Sequence, residues 1–171
     1  LGQAADAARE LARLQRTIVT QLRKASVAAP WNCLHGRVLN DRGIAAGHMG
    51  DHSAEEAFYR KAASVRRRSG RRFDLAITLN NLTECAIEKH RLDLALRHAR
   101  QVLAIFQDTS QRSLVLAFCH DNLGDIQARL GHLSEAQSHY RRAIEIGARG
   151  GYRRIQAEAS LGLSGVLLSA G

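Results

Sequence analysis

Residues 122–143 read NLGDIQARLGHLSEAQSHYRRA, and their spacing decides the fold. Leu123, Gln127 and Leu130 lie about one turn apart, so the first half is helical. Gly131 can end that helix, because glycine takes the left-handed conformation just past a helix C-terminus cheaply. Ser134 is the expected N-cap of a second helix. Ala136, Tyr140, Ala143 and Ile144 follow at i, i+4, i+7 and i+8, one face of that helix. Gly124 and Ala136 are small where the two helices must approach closely.

The spacing recurs along the chain. Leu82-Thr83, His90, Ala95, Ala99 and Val102 stand 41 residues earlier, and Arg42-Gly43, Gly50, Glu55, Tyr59 and Ala62 a further 40 earlier. Leu163-Ser164 follows 40 residues later, while Gly2, Ala7, Leu11 and Leu14 fit the second half of a preceding copy. Leu-Gly, a turn Gly, then Ala, an aromatic and Ala resembles the tetratricopeptide repeat (TPR). Arg42 departs from the Leu, Thr83 and Ser164 from the Gly, and Glu55 from the first Ala. The period exceeds the usual 34 or so, so each helix should run about a turn longer.

The resemblance implies an all-α fold: a TPR-type α-solenoid of antiparallel helix pairs, about eight helices in a right-handed superhelix. A single array then covers 1–171. Residues 1–27 form the second helix of a preceding unit; 30–70, 71–110 and 111–150 are repeats; 152–171 is the first helix of a truncated repeat. The chain thus reads as a fragment of a larger protein.

Helices are expected over 3–27, 30–48, a stretch capped by Ser53, 73–89, 92–106, 113–130, 134–148 and 152–170. In the first, Ala4, Ala7, Ala8, Leu11, Leu14, Ile18 and Leu22 make the apolar stripe. Pro30 suits the first turn of the second. In the last, Leu161, Leu163, Val166, Leu167 and Leu168 form an apolar surface with no following helix to cover it, which favours self-association.

Composition agrees with close-packed helices. The chain is 45% hydrophobic but only 5% aromatic, with one proline, so its core must be built from Ala and Leu. Net charge is +9, which permits contact with nucleic acid, although no nucleic-acid motif accompanies it. Cys33, Cys85 and Cys119 are far apart and form no CxxC pair, which fits a reducing cytoplasm. No apolar run is long enough to span a membrane.

Nothing in the chain reads as an active site. His48-Met49-Gly50-Asp51-His52 crosses a helix–turn–helix corner, so its imidazoles need not converge on a metal as a zinc site requires. Cys119 and His120 are adjacent on a helix and point about 100° apart, so they cannot act as nucleophile and base to one another. Cys119 is read as a small buried hydrophobe. No phosphate loop or Ser-centred elbow is present, and no cofactor is implied.

Two surfaces remain. In TPR proteins the first helices line a concave face that binds extended peptides or helices. The repeat register carries those lining positions to Arg37, Asn40, Ile44 and His48, to Asn80, Glu84, Ile87 and Glu88, and to Asp121, Asp125, Ala128 and Arg129. The groove's middle is then acidic and suits a basic or amphipathic protein segment. The subgroup that clamps a C-terminal carboxylate uses Lys here, and Lys is absent. The second surface is the basic run Arg66, Arg67, Arg68, Arg71 and Arg72, an alternative edge for nucleic acid that lacks aromatics for stacking. The 40-residue spacing also resembles sensor arrays of LuxR-type and nucleotide-switch regulators in bacteria. The function expected is a non-enzymatic protein-interaction scaffold.

Overall fold

The computed structural model describes residues 2–24, 29–107 and 113–170. Within them the chain forms eight α-helices and no strand. They are α1 (Gly2–Lys24), α2 (Ala29–His48), α3 (His52–Arg68), α4 (Arg72–Glu88), α5 (Leu92–Phe106), α6 (Leu114–Arg129), α7 (Leu133–Gly150) and α8 (Arg153–Ala170). This is the all-helical repeat fold the spacing predicts. The expected polar turn at 108–110 and the end of the first helix at 25–27 fall outside the described residues.

The corners follow one rule. A left-handed residue closes each of five helices: Gly50, Gly70, Gly131 and Gly151 have φ between 68 and 81°, and His90 has 55°. The next amide then reaches back along the helix, as Asp51 N–H does to Ala46 O (2.9 Å) and His132 N–H to Gln127 O (2.9 Å). That bond satisfies a carbonyl the helix end would leave open. His90 adopts there a conformation that is uncommon outside glycine.

Helix starts depart from expectation. Asp51, not Ser53, caps α3: its Oδ1 accepts from the Ala54 amide at 2.9 Å. At α7 the cap position is His132, so Ser134 lies inside the helix. In both cases the tight corner leaves no residue to spare, and the helix begins earlier than a search for Ser would place it. Ser113 does cap α6, accepting from Val115 N–H at 3.2 Å.

Two compact units divide the chain at Leu82. In the first, α1 packs on α2 and α2 on α3. Leu39, Ala62 and Val65 form a buried cluster with Phe58 against it. Ile18 is the fully buried anchor of α1, whereas Ala7 and Leu14 of the expected stripe face solvent. The missing side chain of Gly43 lets the Tyr59 ring lie where a Cβ would sit.

In the second unit α5 packs on α6, α6 on α7, and α8 on both α6 and α7. Ala136, Tyr140, Ala143, Ala159 and Val166 make one core cluster, and Ala117, Ile146 and Ile155 another. Burying Ile126, Ile146 and Ile155 contributes about 1.5–3 kcal/mol each relative to exposure. Val166 and Leu163 therefore belong to the core, correcting the expectation that they lie open, while Leu161, Leu167 and Leu168 are exposed.

Candidate interaction surface

The repeats share a register in which Gly43 and Tyr59 correspond to Gly124 and Tyr140, 81 positions on. One polar residue stands three places before the small residue of each first helix: Asn40, Asn80 and Asp121. Asn40 and Asn80 are each 5% exposed, as is Ile87. These three do not line an open groove. The face they occupy is sealed by neighbouring helices. Ile87 packs with Ala86, Ala95 and Ile126.

Asn40 is instead the centre of a polar knot inside the first unit. Its Oδ1 accepts from Arg66 Nη1 (3.3 Å), Thr78 Oγ1 (3.1 Å) and Asn81 Nδ2 (3.4 Å). Arg66 Nη1 also donates to the Asp74 carbonyl at 2.7 Å and lies against Thr78 Oγ1. Arg66 is 6% exposed. It is therefore not part of a basic edge: it falls one turn after Ala62 on the inward face of α3, while Arg67 and Arg68 are exposed. Burying a guanidinium this way is tolerable only because its donors are met. Arg68 and Arg72 are not sealed in the same way, and Arg71 pairs with Asp74 at 2.7 Å.

The register explains what happens in the second unit. The donors around Asn40 (Arg66, Thr78 and Asn81) correspond to Gly147, Ala159 and Gly162, none of which carries a polar side chain. Asp121 takes the place of Asn40 without those donors. Its Oδ1 is buried with no hydrogen-bond partner. Burial first, then the charges of Asp125, Glu158 and Glu84, push its carboxyl up to about 7.

Around it stand three more carboxylates. Glu84 comes from α4, Asp125 from α6 and Glu158 from α8. Asp125 accepts from the Tyr140 hydroxyl at 2.6 Å, and Glu158 from Arg154 at 2.7 Å. Glu84 opens to solvent on one side, yet packed atoms on the other raise its carboxyl above the usual carboxylate range. The hydrogen bond from Asn122 pulls it the other way. Glu88 is exposed one turn further along, and Arg129 is exposed beyond Asp125. Four carboxylates thus converge in a chain of net charge +9, with one orphaned oxygen among them. In the first unit Arg37, Ile44 and His48 are all exposed on α2.

The other candidates resolve individually. His52 Nδ1 lies 3.2 Å from Glu55 Oε2, and Asp51 is committed to capping α3. Cys119 is fully buried, its thiol lies 3.5 Å from Ala99 O, and burial pushes it up to about 12. A thiol held that high is a poor nucleophile at neutral pH.

Two features escape the sequence. A cavity of about 400 Å³ in the first unit is lined by Val19, Leu22, Asn32, His35, Val65 and Arg68, and His35 Nε2 is buried there unbonded. In the second unit His120 and His139 face one another across α6 and α7. Only the register could have hinted at the histidine pair, since it sets them at the positions of Leu39 and Phe58.

No curated protein matches the chain. The tetratricopeptide repeat family matches residues 34–108 and, in a second overlapping match, 74–149. Together these run from within α2 to the end of α7, more than half of the chain. With its helical hairpins, left-handed corners and Gly–Tyr contacts in the same register, the chain belongs to the tetratricopeptide repeat family.

Proposed function

We propose that this chain is a non-catalytic interaction module and that the acidic face of its second unit receives a basic or amphipathic protein segment. Members of this family typically mediate protein–protein contact. The observation that carries the finer reading is the convergence of Glu84, Asp121, Asp125 and Glu158, with Asp121 Oδ1 buried and unbonded. A lysine or arginine side chain of the partner meets this cluster at its exposed member, Glu84. Its charge also relieves the mutual repulsion of the four carboxylates. Around this face the whole chain acts as a single array, and the 40-residue period favours a sensor role within a cytoplasmic regulatory protein. No helix among the described residues is long and apolar enough to cross a membrane.

Fluorescence anisotropy with amphipathic peptides, lysine-rich against glutamate-rich, tests the reading. The lysine-rich peptide should bind, and Glu84→Lys with Glu88→Lys should weaken it at least tenfold, roughly the 1.4 kcal/mol of a single lost charge-assisted contact. Equal binding of both peptides, or no effect of the charge reversals, sinks the proposal.

A further inference from the structure

The leucine of the Leu-Gly pair is a core position in the later repeats. Leu82 and Leu123 are 4% and 3% exposed there, and Leu163 packs against a core cluster. Arg42 stands at this position in the first unit. Its guanidinium is half-buried, with Cζ 4.1 Å from the centroid of the Phe58 ring, and Nη1 donates to Gln15 Oε1. Leucine suits this position wherever the hairpin recurs. An arginine carries a desolvation cost that stacking and one hydrogen bond only partly offset.

The surroundings add to that cost. Arg42 lines a cavity of about 450 Å³ between α1 and α2, together with Ala12, Gln15, Arg16, Val19 and Thr20. Burial first, then the charge of Arg16, lowers the Arg42 guanidinium below its ordinary range. Elsewhere on α1, Arg9 pairs with Asp6 and Arg13 with Glu10. Among the described residues no carboxylate pairs with Arg16 or Arg42, so two like charges share one cavity uncompensated. Gln15 gives its side-chain oxygen to Arg42, which leaves its amide N–H groups for another acceptor. Thr20 donates its hydroxyl to the Arg16 carbonyl at 2.9 Å, and Ala12 and Val19 make the apolar wall.

We propose that Arg16, Arg42 and Gln15 hold a small organic phosphate monoester in this cavity. A phosphate dianion matches the two guanidiniums in charge, and each guanidinium presents a planar fork that can take two phosphate oxygens at once. A carboxylate carries a single charge and leaves the pair half compensated. The volume falls within the roughly 300–1,000 Å³ of small-molecule sites, and Ala12 and Val19 receive the organic part. Arg16 is exposed, so the anion reaches the pair from solvent. The site lies in the first unit and is independent of the acidic face of the second.

Calorimetric titration of the full chain with phenyl phosphate, inorganic phosphate and benzoate tests this, at constant ionic strength and about pH 7.5, where a phosphate monoester is dianionic. One phenyl phosphate should bind per chain. Inorganic phosphate lacks the apolar part and benzoate the second charge, so each should bind severalfold more weakly. Arg42→Leu installs the residue the later repeats already pack, so it should fold and bind at least about tenfold more weakly, the worth of one charge-assisted contact. Arg16→Gln is an exposed change on α1 that leaves the fold intact, and it should cost as much. Arg42→Lys keeps the charge without the fork and should weaken binding severalfold. Arg13→Gln, exposed and already paired with Glu10, should change nothing. No saturable binding of phenyl phosphate, affinity retained in Arg16→Gln or Arg42→Leu, an equal loss in Arg13→Gln, or benzoate binding as tightly as phenyl phosphate overturns the proposal.

Discussion

The tightest packing in the second unit offers a test whose sign is set by geometry. Tyr140 lies between two glycines. A Cβ added to Gly124 would sit 2.5 Å from Tyr140 Cε1, and one on Gly162 would sit 2.5 Å from the same atom. The ring cannot yield to either side, because the other glycine blocks it and its hydroxyl is tied to Asp125 at 2.6 Å. Gly165 lies one turn further along α8, and a Cβ added there would meet nothing within 4 Å. An alanine in a helix interior is worth about 0.8–1.0 kcal/mol over glycine. Gly165→Ala should show that gain. Gly124→Ala and Gly162→Ala gain it too but carry an overpacking penalty of about 1–3 kcal/mol, at its upper end here because the ring is clamped. Net destabilisation of about 1–2 kcal/mol is expected for each, so the two classes of alanine should differ by about 2–3 kcal/mol. Urea unfolding followed by circular dichroism reads this directly. Repeating Gly124→Ala in a Tyr140→Leu background removes the ring, and the alanine should then turn neutral or stabilising through coupling of the two sites. Equal shifts for Gly124→Ala and Gly165→Ala would refute the packing argument.

Three further outcomes follow from the buried polar groups. Asn40→Ala should cost about 1–3 kcal/mol in urea unfolding, because the Thr78 and Asn81 donors lose their acceptor and Arg66 keeps only its bond to the Asp74 carbonyl and its contact with Thr78. Asp121 holds its proton to about pH 7 when folded, against an ordinary 3.8. A folded value above the unfolded one gives stability that is full below about pH 4 and lost as pH rises through about 7. Urea midpoints should therefore fall as pH rises from about 4 to about 7, and Asp121→Asn should flatten that fall. Iodoacetamide on the native protein, read by mass spectrometry, should modify the partly exposed Cys33 and spare buried Cys85 and Cys119.

The register was legible in the sequence because small residues and left-handed corners are demanded by backbone geometry. Gly43 and Gly124 admit a tyrosine, and Gly50 and Gly131 take positive φ, whatever surrounds them. His90 was legible only through its place in the series. Burial of polar residues was not. Thr78, Asn80 and Thr83 on α4 are sealed beside Leu79 and Leu82, so that helix has no clean polar side to mark its orientation. The arginine run misled in the same way. Residues 66, 67 and 68 are alike in sequence, but each turns about 100° from the last, and Arg66 is the one that points inward.

Repeats make such divergence readable once a structure supplies one copy's contacts. The position of Asn40 is a structural one in the first unit, since its oxygen collects donors from α3 and α4. The same position in the second unit holds an acid, and each donor has been deleted rather than replaced: Gly147 cannot even be enlarged freely, because a Cβ there would meet Gln156 at 2.9 Å. A buried carboxylate oxygen left unbonded costs about 1–3 kcal/mol or more, and nothing in the packing of Gly147, Ala159 and Gly162 requires an acid opposite them. Both units are built from the same helical hairpin, so the difference between a satisfied polar knot and an unpaired acid lies in a few side chains. Loss of the Asp121 stability cost without loss of cationic-peptide affinity in Asp121→Asn would separate the acid from the binding surface; loss of both together ties the two.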